Sequence, residues 1–238
     1  SIQKYDYAWE LSDCGETEID RMGNVICRMG NQTAQQQILL DAHLDQVGLI
    51  VTRIETNGFL RVDRCGGTDR RVLPGSPVTV FGKEPLTGIV CCMPPHLTEG
   101  GEDKVESVDR MAIDLGLSTE EAQELVSPGD LVLVRAPQKR LLGTRITSPA
   151  LDDRAGCAAL IRCAQLLRNQ TLSCGLTILL SSREEACGQG AQTGADGDGG
   201  DVLVGVLVGE PHGGQHAEHG ARVGQRAADG GGGGDDLR

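Results

Sequence analysis

Two short apolar runs, residues 37–42 (QILLDA) and 175–182 (GLTILLSS), each stop at a group of ionisable residues. Runs of this length flanked by polar residues read as buried strands. The first is followed by His43-Leu44-Asp45-Gln46 and then by a second strand-like run, residues 47–54. The run at 175–182 is followed by Glu184-Glu185. Ahead of it, Cys157, Leu160, Ile161, Ala164 and Leu167 recur at the spacing of an amphipathic helix over residues 153–168, entered through Asp152-Asp153-Arg154-Ala155-Gly156. Strand, strand, helix, strand implies an α/β sheet. In open sheets of that kind the ends of strands and the starts of helices converge on one crevice, where ligands bind.

A different texture separates these pieces. Residues 55–146 hold short β-rich stretches (77–81, 88–93, 131–134) punctuated by Asn57-Gly58, Gly66-Gly67, Pro74-Gly75 and Pro128-Gly129. One short helix is expected among them, because Ser118-Thr119-Glu120-Glu121 forms a capping box. The chain therefore reads as an α/β domain in two parts, 1–54 and 147–193, interrupted by a small barrel-like insertion at 55–146. From Gly194 the sequence turns glycine-rich and ends near a pure glycine run, residues 230–234. Such a stretch cannot offset its ordering entropy by burial. It is read as a disordered tail, either a flexible linker or a frame-shifted stretch, with strand character only at 202–208.

Composition excludes several roles. A net charge of -12 and a pI near 4.8 suit neither nucleic acid nor an anionic membrane surface. No apolar run has the length of a membrane span. The first residue is Ser1 and no signal peptide precedes it, as in a processed, trimmed or fragmentary chain. Nine cysteines, an odd number without a C-x-x-C pair, read mostly as small buried residues in a reducing cytoplasm.

Taken singly, the ionisable clusters have plain explanations. An H-x-D triplet is commonly incidental, Asp152-Asp153 can complement a helix dipole, and Glu184-Glu185 can be a solvated turn. Together, one histidine, one carboxylate able to bridge and two glutamates are the parts of a two-metal hydrolase. A carboxylate can span two metals about 3.5–4 Å apart, and a glutamate not bound to metal can take a proton from water. A carboxylate beside the imidazole can orient its ring.

The strings DAHLDQVGLIV, RVLPGSPVTVFG, SPALDDRAGCAAL and SREEACGQGA, in this order and spacing, resemble the glutamyl aminopeptidase and tetrahedral aminopeptidase family of cobalt- or zinc-dependent peptidases. The resemblance runs over about residues 18–193. It implies a metallopeptidase-like mixed sheet, two divalent ions per subunit (zinc or cobalt) and removal of N-terminal residues from peptides. His43 would ligate one metal, with Asp45 holding its ring. Asp152 would bridge, Glu185 would ligate the second metal, and Glu184 would be the general base. It also implies a cis peptide between Asp152 and Asp153, and homo-oligomers built through the inserted domain. The family's N-terminal helix is largely absent from this sequence, and a further metal-binding Asp and a C-terminal metal-binding His have no clear match. Asp201, Glu210, His212, His216 and His219 are the residues available to replace them. An incomplete site would leave the chain with little peptidase activity. Two other readings stand beside the aminopeptidase: a non-catalytic assembly or scaffold subunit, and a metal-dependent hydrolase of another amide or of a glycoside.

Overall fold

The computed structural model describes residues 3–94, 106–187 and 202–206. The chain begins with α1 (Gln3–Leu11), β1 (Glu16–Ile19), β2 (Val25–Gly30) and β3 (Gln37–His43). Strands β4 (Gly48–Ile54), β5 (Leu60–Cys65), β6 (Pro77–Phe81), β7 (Pro85–Cys91) and β8 (Ala112–Asp114) follow. Then come α2 (Thr119–Leu125), β9 (Leu131–Val134) and a two-stranded hairpin, β10 (Lys139–Arg140) with β11 (Ile146–Thr147). The last elements are α3 (Leu151–Leu167), β12 (Gly175–Ser181), α4 (Glu184–Cys187) and β13 (Val202–Val206). They form two compact units, one of Ser1–Asp45 with Asp152–Arg238, the other of Gln46–Leu151.

The first unit is built on a mixed five-stranded sheet in the order β1-β2-β12-β3-β13. β2 is antiparallel to β1 and β12, whereas β3 is parallel to both β12 and β13. Side chains alternate between the two faces of a strand. One face of the sheet carries Val25, Cys27, Met29, Ala42, Leu176, Ile178 and Leu180, which share a core with Leu11 of α1 and Cys157, Leu160 and Ala164 of α3. The other carries the smaller cluster of Ile26, Leu39 and Leu179. Every residue of β12 is buried, as befits a central strand apolar on both faces.

The second unit is a closed barrel, β4-β5-β8-β7-β6-β9, with each neighbouring pair antiparallel. Closure leaves no open edge. Its core is packed by Leu49, Val51, Leu60, Val62, Val78, Val80, Ile113 and Val132. The capping box of α2 forms in full: Glu121 N donates to Ser118 Oγ at 3.3 Å, and Ser118 N donates to the Glu121 carboxylate at 2.8 Å.

Several elements differ from the sequence reading. Residues 47–54, assigned above to the first part of the α/β domain, belong to the barrel as β4, because their backbone pairs with β5 and β9. A nine-residue helix, α1, occupies the N-terminus where little helix was expected, and Leu11 anchors it in the sheet core. β1 and β2 escaped notice because they are short, and Thr17 and Arg28 break their apolar pattern. Within the glycine-rich stretch β13 forms on β3 where strand character was expected, with Val202 opposite Gln37 and Val206 opposite Asp41. The remainder of the expected disordered tail lies outside the described residues. The eight cysteines whose side chains are described are free, yet only Cys14, Cys27 and Cys157 of them are buried; Cys92 is exposed. Among the described residues no helix is long and apolar enough to cross a membrane.

Leu160 is 1% exposed and fills the contact between α3 and the sheet. Leu160→Ala is expected to destabilise the chain by about 2–5 kcal/mol through lost burial and a residual cavity. Ser118→Ala, which removes only a cap, is expected to cost about 1 kcal/mol. Urea unfolding followed by far-UV circular dichroism checks both, and a smaller effect for Leu160→Ala than for Ser118→Ala would contradict the packing described.

Candidate metal centre

β3 and β12 are parallel neighbours, and their last residues, His43 and Ser181, stand opposite each other. Everything that follows each strand is therefore delivered to one edge of the sheet. From β3 come His43 and Asp45, and from β12, after a short turn, come Glu184 and Glu185. The third contributor is the entry to α3. Asp152 and Asp153 have non-helical backbone angles and the peptide between them is cis. The Asp153 carboxylate accepts the Gly156 amide at 3.0 Å and closes the first turn. A Cβ at Gly156 would collide with that carboxylate, so a larger residue there would push Asp153 from its capping position. Cys157, one turn into the helix, directs its thiol at the His43 carbonyl oxygen, 3.3 Å away.

The side chains meet as follows. His43 Nε2 lies 3.3 Å from Asp152 Oδ1 and 3.8 Å from Glu184 Oε2. His43 Nδ1 faces Asp45 Oδ1 at 3.6 Å, an electrostatic contact too long for a hydrogen bond, and this buried nitrogen has no hydrogen-bond partner. Asp45 in turn accepts the backbone amides of Glu184 at 3.2 Å and Glu185 at 3.3 Å. One carboxylate thus ties the end of the β3 loop to the start of α4 and lies beside the imidazole. The His43 ring is largely enclosed, with 11% of its side chain exposed, whereas Asp152 is 83% exposed.

Charge dominates this edge. Burial disfavours the charged His43 ring, but Asp45, Glu184 and Asp152 together outweigh it and push the imidazole up to about 9. Burial also opposes ionisation of Asp45, yet His43 and the two amides hold its carboxyl below the usual range. Burial raises Glu185, and Glu184, Asp45 and Asp152 add to that rise. Asp153 is raised, chiefly by burial.

The structure gathers Asp45, Asp152 and Glu184 around His43, and Glu185 adjoins Asp45 through its amide. Asp41 was missed. It precedes His43 by two residues on β3 and so shares its face of the sheet, and burial pushes its carboxyl up to about 6. Strand alternation could have found it. The suggested replacements for the missing ligands, Asp201, Glu210, His212, His216 and His219, lie outside the described residues.

The donor types suit a divalent cation: the His43 Nε2 nitrogen and the Asp152 and Glu184 carboxylate oxygens face one space. The donor number does not reach a full set. Among the described residues no group of three or more His, Cys, Asp or Glu side chains is disposed to hold a metal ion. A catalytic zinc ordinarily keeps three protein ligands.

The chain matches the family described as M42 glutamyl aminopeptidase over residues 23–228, which reaches past residue 193 into the glycine-rich stretch. It is 32% identical over 182 residues to the lysyl aminopeptidase of Pyrococcus furiosus, covering 74% of this chain and 51% of that protein. It superposes on the TET1 peptidase of Pyrococcus horikoshii with a TM-score of 0.75 at 31% identity, covering 84% of this chain and 61% of that one. A TET aminopeptidase from a marine-sediment archaeon of the Thaumarchaeota gives a TM-score of 0.78 at 28% identity, over 89% and 63% of the two chains. The chain spans about half the length of the curated relatives it matches. With its mixed sheet, inserted barrel and a match over residues 23–228, the chain belongs to the M42 glutamyl aminopeptidase family.

Proposed function

We propose that the chain derives from a metal-dependent aminopeptidase that removes N-terminal residues from peptides, and that its described residues carry only part of that site. The observation supporting this reading is the approach of His43 Nε2 to both Asp152, at the entry to α3, and Glu184, just beyond the strand parallel to its own. His43, Asp152 and Glu185 would hold zinc or cobalt, and Asp152 would be the carboxylate shared between the two ions. Asp45 orients the His43 ring and, through two amides, the turn that bears the glutamates. Glu184, half-exposed and facing His43, is assigned the proton-accepting role. By analogy with the tetrahedral and octahedral shells named for the Pyrococcus horikoshii peptidase, the barrel is assigned to self-association.

A second reading, a non-catalytic assembly subunit, is favoured by the shortage of ligands among the described residues. Metal content separates the two. The purified chain, equilibrated with cobalt or zinc and analysed by elemental mass spectrometry, is expected to retain metal weakly. His43→Ala and Glu185→Ala are each expected to lower retention further. Turnover of aminoacyl chromogenic substrates is expected to be slight, because two metals sharing one imidazole and two carboxylates are each short of ligands. Metal retention indifferent to both substitutions would remove the assignment. Brisk chelator-sensitive turnover would show that residues outside the described set complete the site.

The metal-free chain carries a pH signature. The His43 imidazole is raised from its ordinary value of 6.5 to about 9 in the folded chain. A group raised on folding contributes stability that is fully present below its unfolded value and lost as pH rises through the folded one. The apo chain is therefore expected to lose thermal stability between about pH 6.5 and 9. His43→Asn is expected to flatten that decline. An equal decline in both chains would show that His43 is not coupled to its acidic neighbours.

A further inference from the structure

The turn between β1 and β2 reads Asp20-Arg21-Met22-Gly23-Asn24. Asn24 is fully buried. Asp20 Oδ1 accepts the amides of Gly23 and Asn24, each at 2.9 Å, and Asp20 Oδ2 accepts Asn24 Nδ2 at 2.8 Å. The carboxamide is thereby oriented, with its oxygen turned to the end of β12. Asn24 Oδ1 accepts the Ser182 amide at 2.8 Å and lies 3.0 Å from Ser182 Oγ, while that hydroxyl donates to the Met22 carbonyl at 2.8 Å.

Ser182 is the residue at which β12 gives way to the glutamates. The next residue, Arg183, is held at φ 63°, a left-handed conformation unusual for a side chain of its size. Such a turn needs support from its surroundings. Asp45 fixes the far side, through the Glu184 and Glu185 amides, and the Asp20–Asn24 pair fixes the near side, through Ser182. An aspartate at position 24 would keep the acceptor for Ser182 but set a second carboxylate against Asp20 in a buried place, where an unpaired charge is costly.

We propose that Asn24, oriented by Asp20, is a positioning residue that clamps the Ser182–Arg183 turn and so aims Glu184 and Glu185 at His43 and Asp152. The role of the glutamates rests on the aminopeptidase reading above; the clamp itself does not.

The test uses the full chain and four variants: Asn24→Ala, Asn24→Asp, Asp20→Asn, and the exchange Asp20→Asn with Asn24→Asp. Amide hydrogen exchange is measured residue by residue. In Asn24→Ala, which removes the acceptor, and in Asn24→Asp, whose carboxylate is repelled from its place by Asp20, the amides of Ser182, Glu184 and Glu185 are expected to exchange about tenfold faster, the scale of a lost buried hydrogen bond. Ile178 on β12 and Leu40 on β3 are expected to be unaffected. The exchanged pair restores a donor opposite an acceptor, and it is expected to return the three amides to the parent rates. Cobalt affinity provides the functional readout, weakened in Asn24→Asp and recovered in the exchanged pair.

Uniformly faster exchange across the sheet would overturn the proposal in favour of a general structural role. So would unchanged rates at Glu184 and Glu185, or an exchanged pair no better than Asn24→Asp alone. If Asn24→Ala does not fold, the comparison of Asn24→Asp with the exchanged pair decides. A parent chain that takes up no cobalt, while the three amides respond as expected, would refute the aminopeptidase reading and leave the clamp standing.

Discussion

The parallel pairing of β3 with β12 is the constraint on which the rest depends. It runs from Gly175 opposite Gln37 to Ser181 opposite His43, and Leu44 N continues it by donating to the Ser181 carbonyl at 2.8 Å. Side chains alternate at every residue, so a slip of one position would turn His43 from the acidic edge into the apolar face that meets α3. The register is held by burial on both sides of β12, with Ile178 and Leu180 against one core and Leu179 in the smaller cluster on the other. The position of the imidazole relative to the glutamates is thus set by aliphatic packing some way from either.

Parallel neighbours need a crossover connection, and here α3 supplies it. The barrel is inserted between β3 and α3, at the carboxyl end of the strand that supplies His43. Because the barrel closes on itself, its strands pair their backbone groups with one another. Loop-closure entropy grows only slowly with length, so a self-contained insertion of this size costs the sheet little. The entry to α3 must still return to the His43 edge. Asp153 capping Gly156 and Cys157 facing the His43 carbonyl fix that return.

How far the sequence reveals this depends on the range of each interaction. His43, Asp45, Asp152, Glu184 and Glu185 were legible because each follows or precedes a run whose periodicity declares a strand or a helix. The capping box at Ser118 was legible because both partners lie within one turn. Asp41 was available from strand alternation but hidden inside an apolar run. Asn24 gave no local signal at all: its partner Ser182 is 158 residues away, and an asparagine after glycine reads as an ordinary turn. The placement of β4 was open for a similar reason. An apolar run of seven residues is as good a strand in a barrel as in a mixed sheet, and only its partners, β5 and β9, decide.

The electrostatics of the edge would make a proton and a metal ion rivals there. Asp45, Asp152 and Glu184 surround one imidazole, and their combined field raises its proton affinity against the opposing effect of burial. The same field would draw a divalent cation to the same space. A histidine must be neutral to ligate, so the carboxylates that would attract the ion also hold the proton it has to displace. Asp45 makes this competition asymmetric. It faces Nδ1 from the protein side, whereas Nε2 is the nitrogen that meets Asp152 and Glu184. Loss of the Nε2 proton to a cation would leave the Nδ1 proton beside Asp45, which is the tautomer a ligand histidine at this position requires. Orientation of the ring by a carboxylate that is itself held by the Glu184 and Glu185 amides therefore links the two strand ends chemically as well as geometrically.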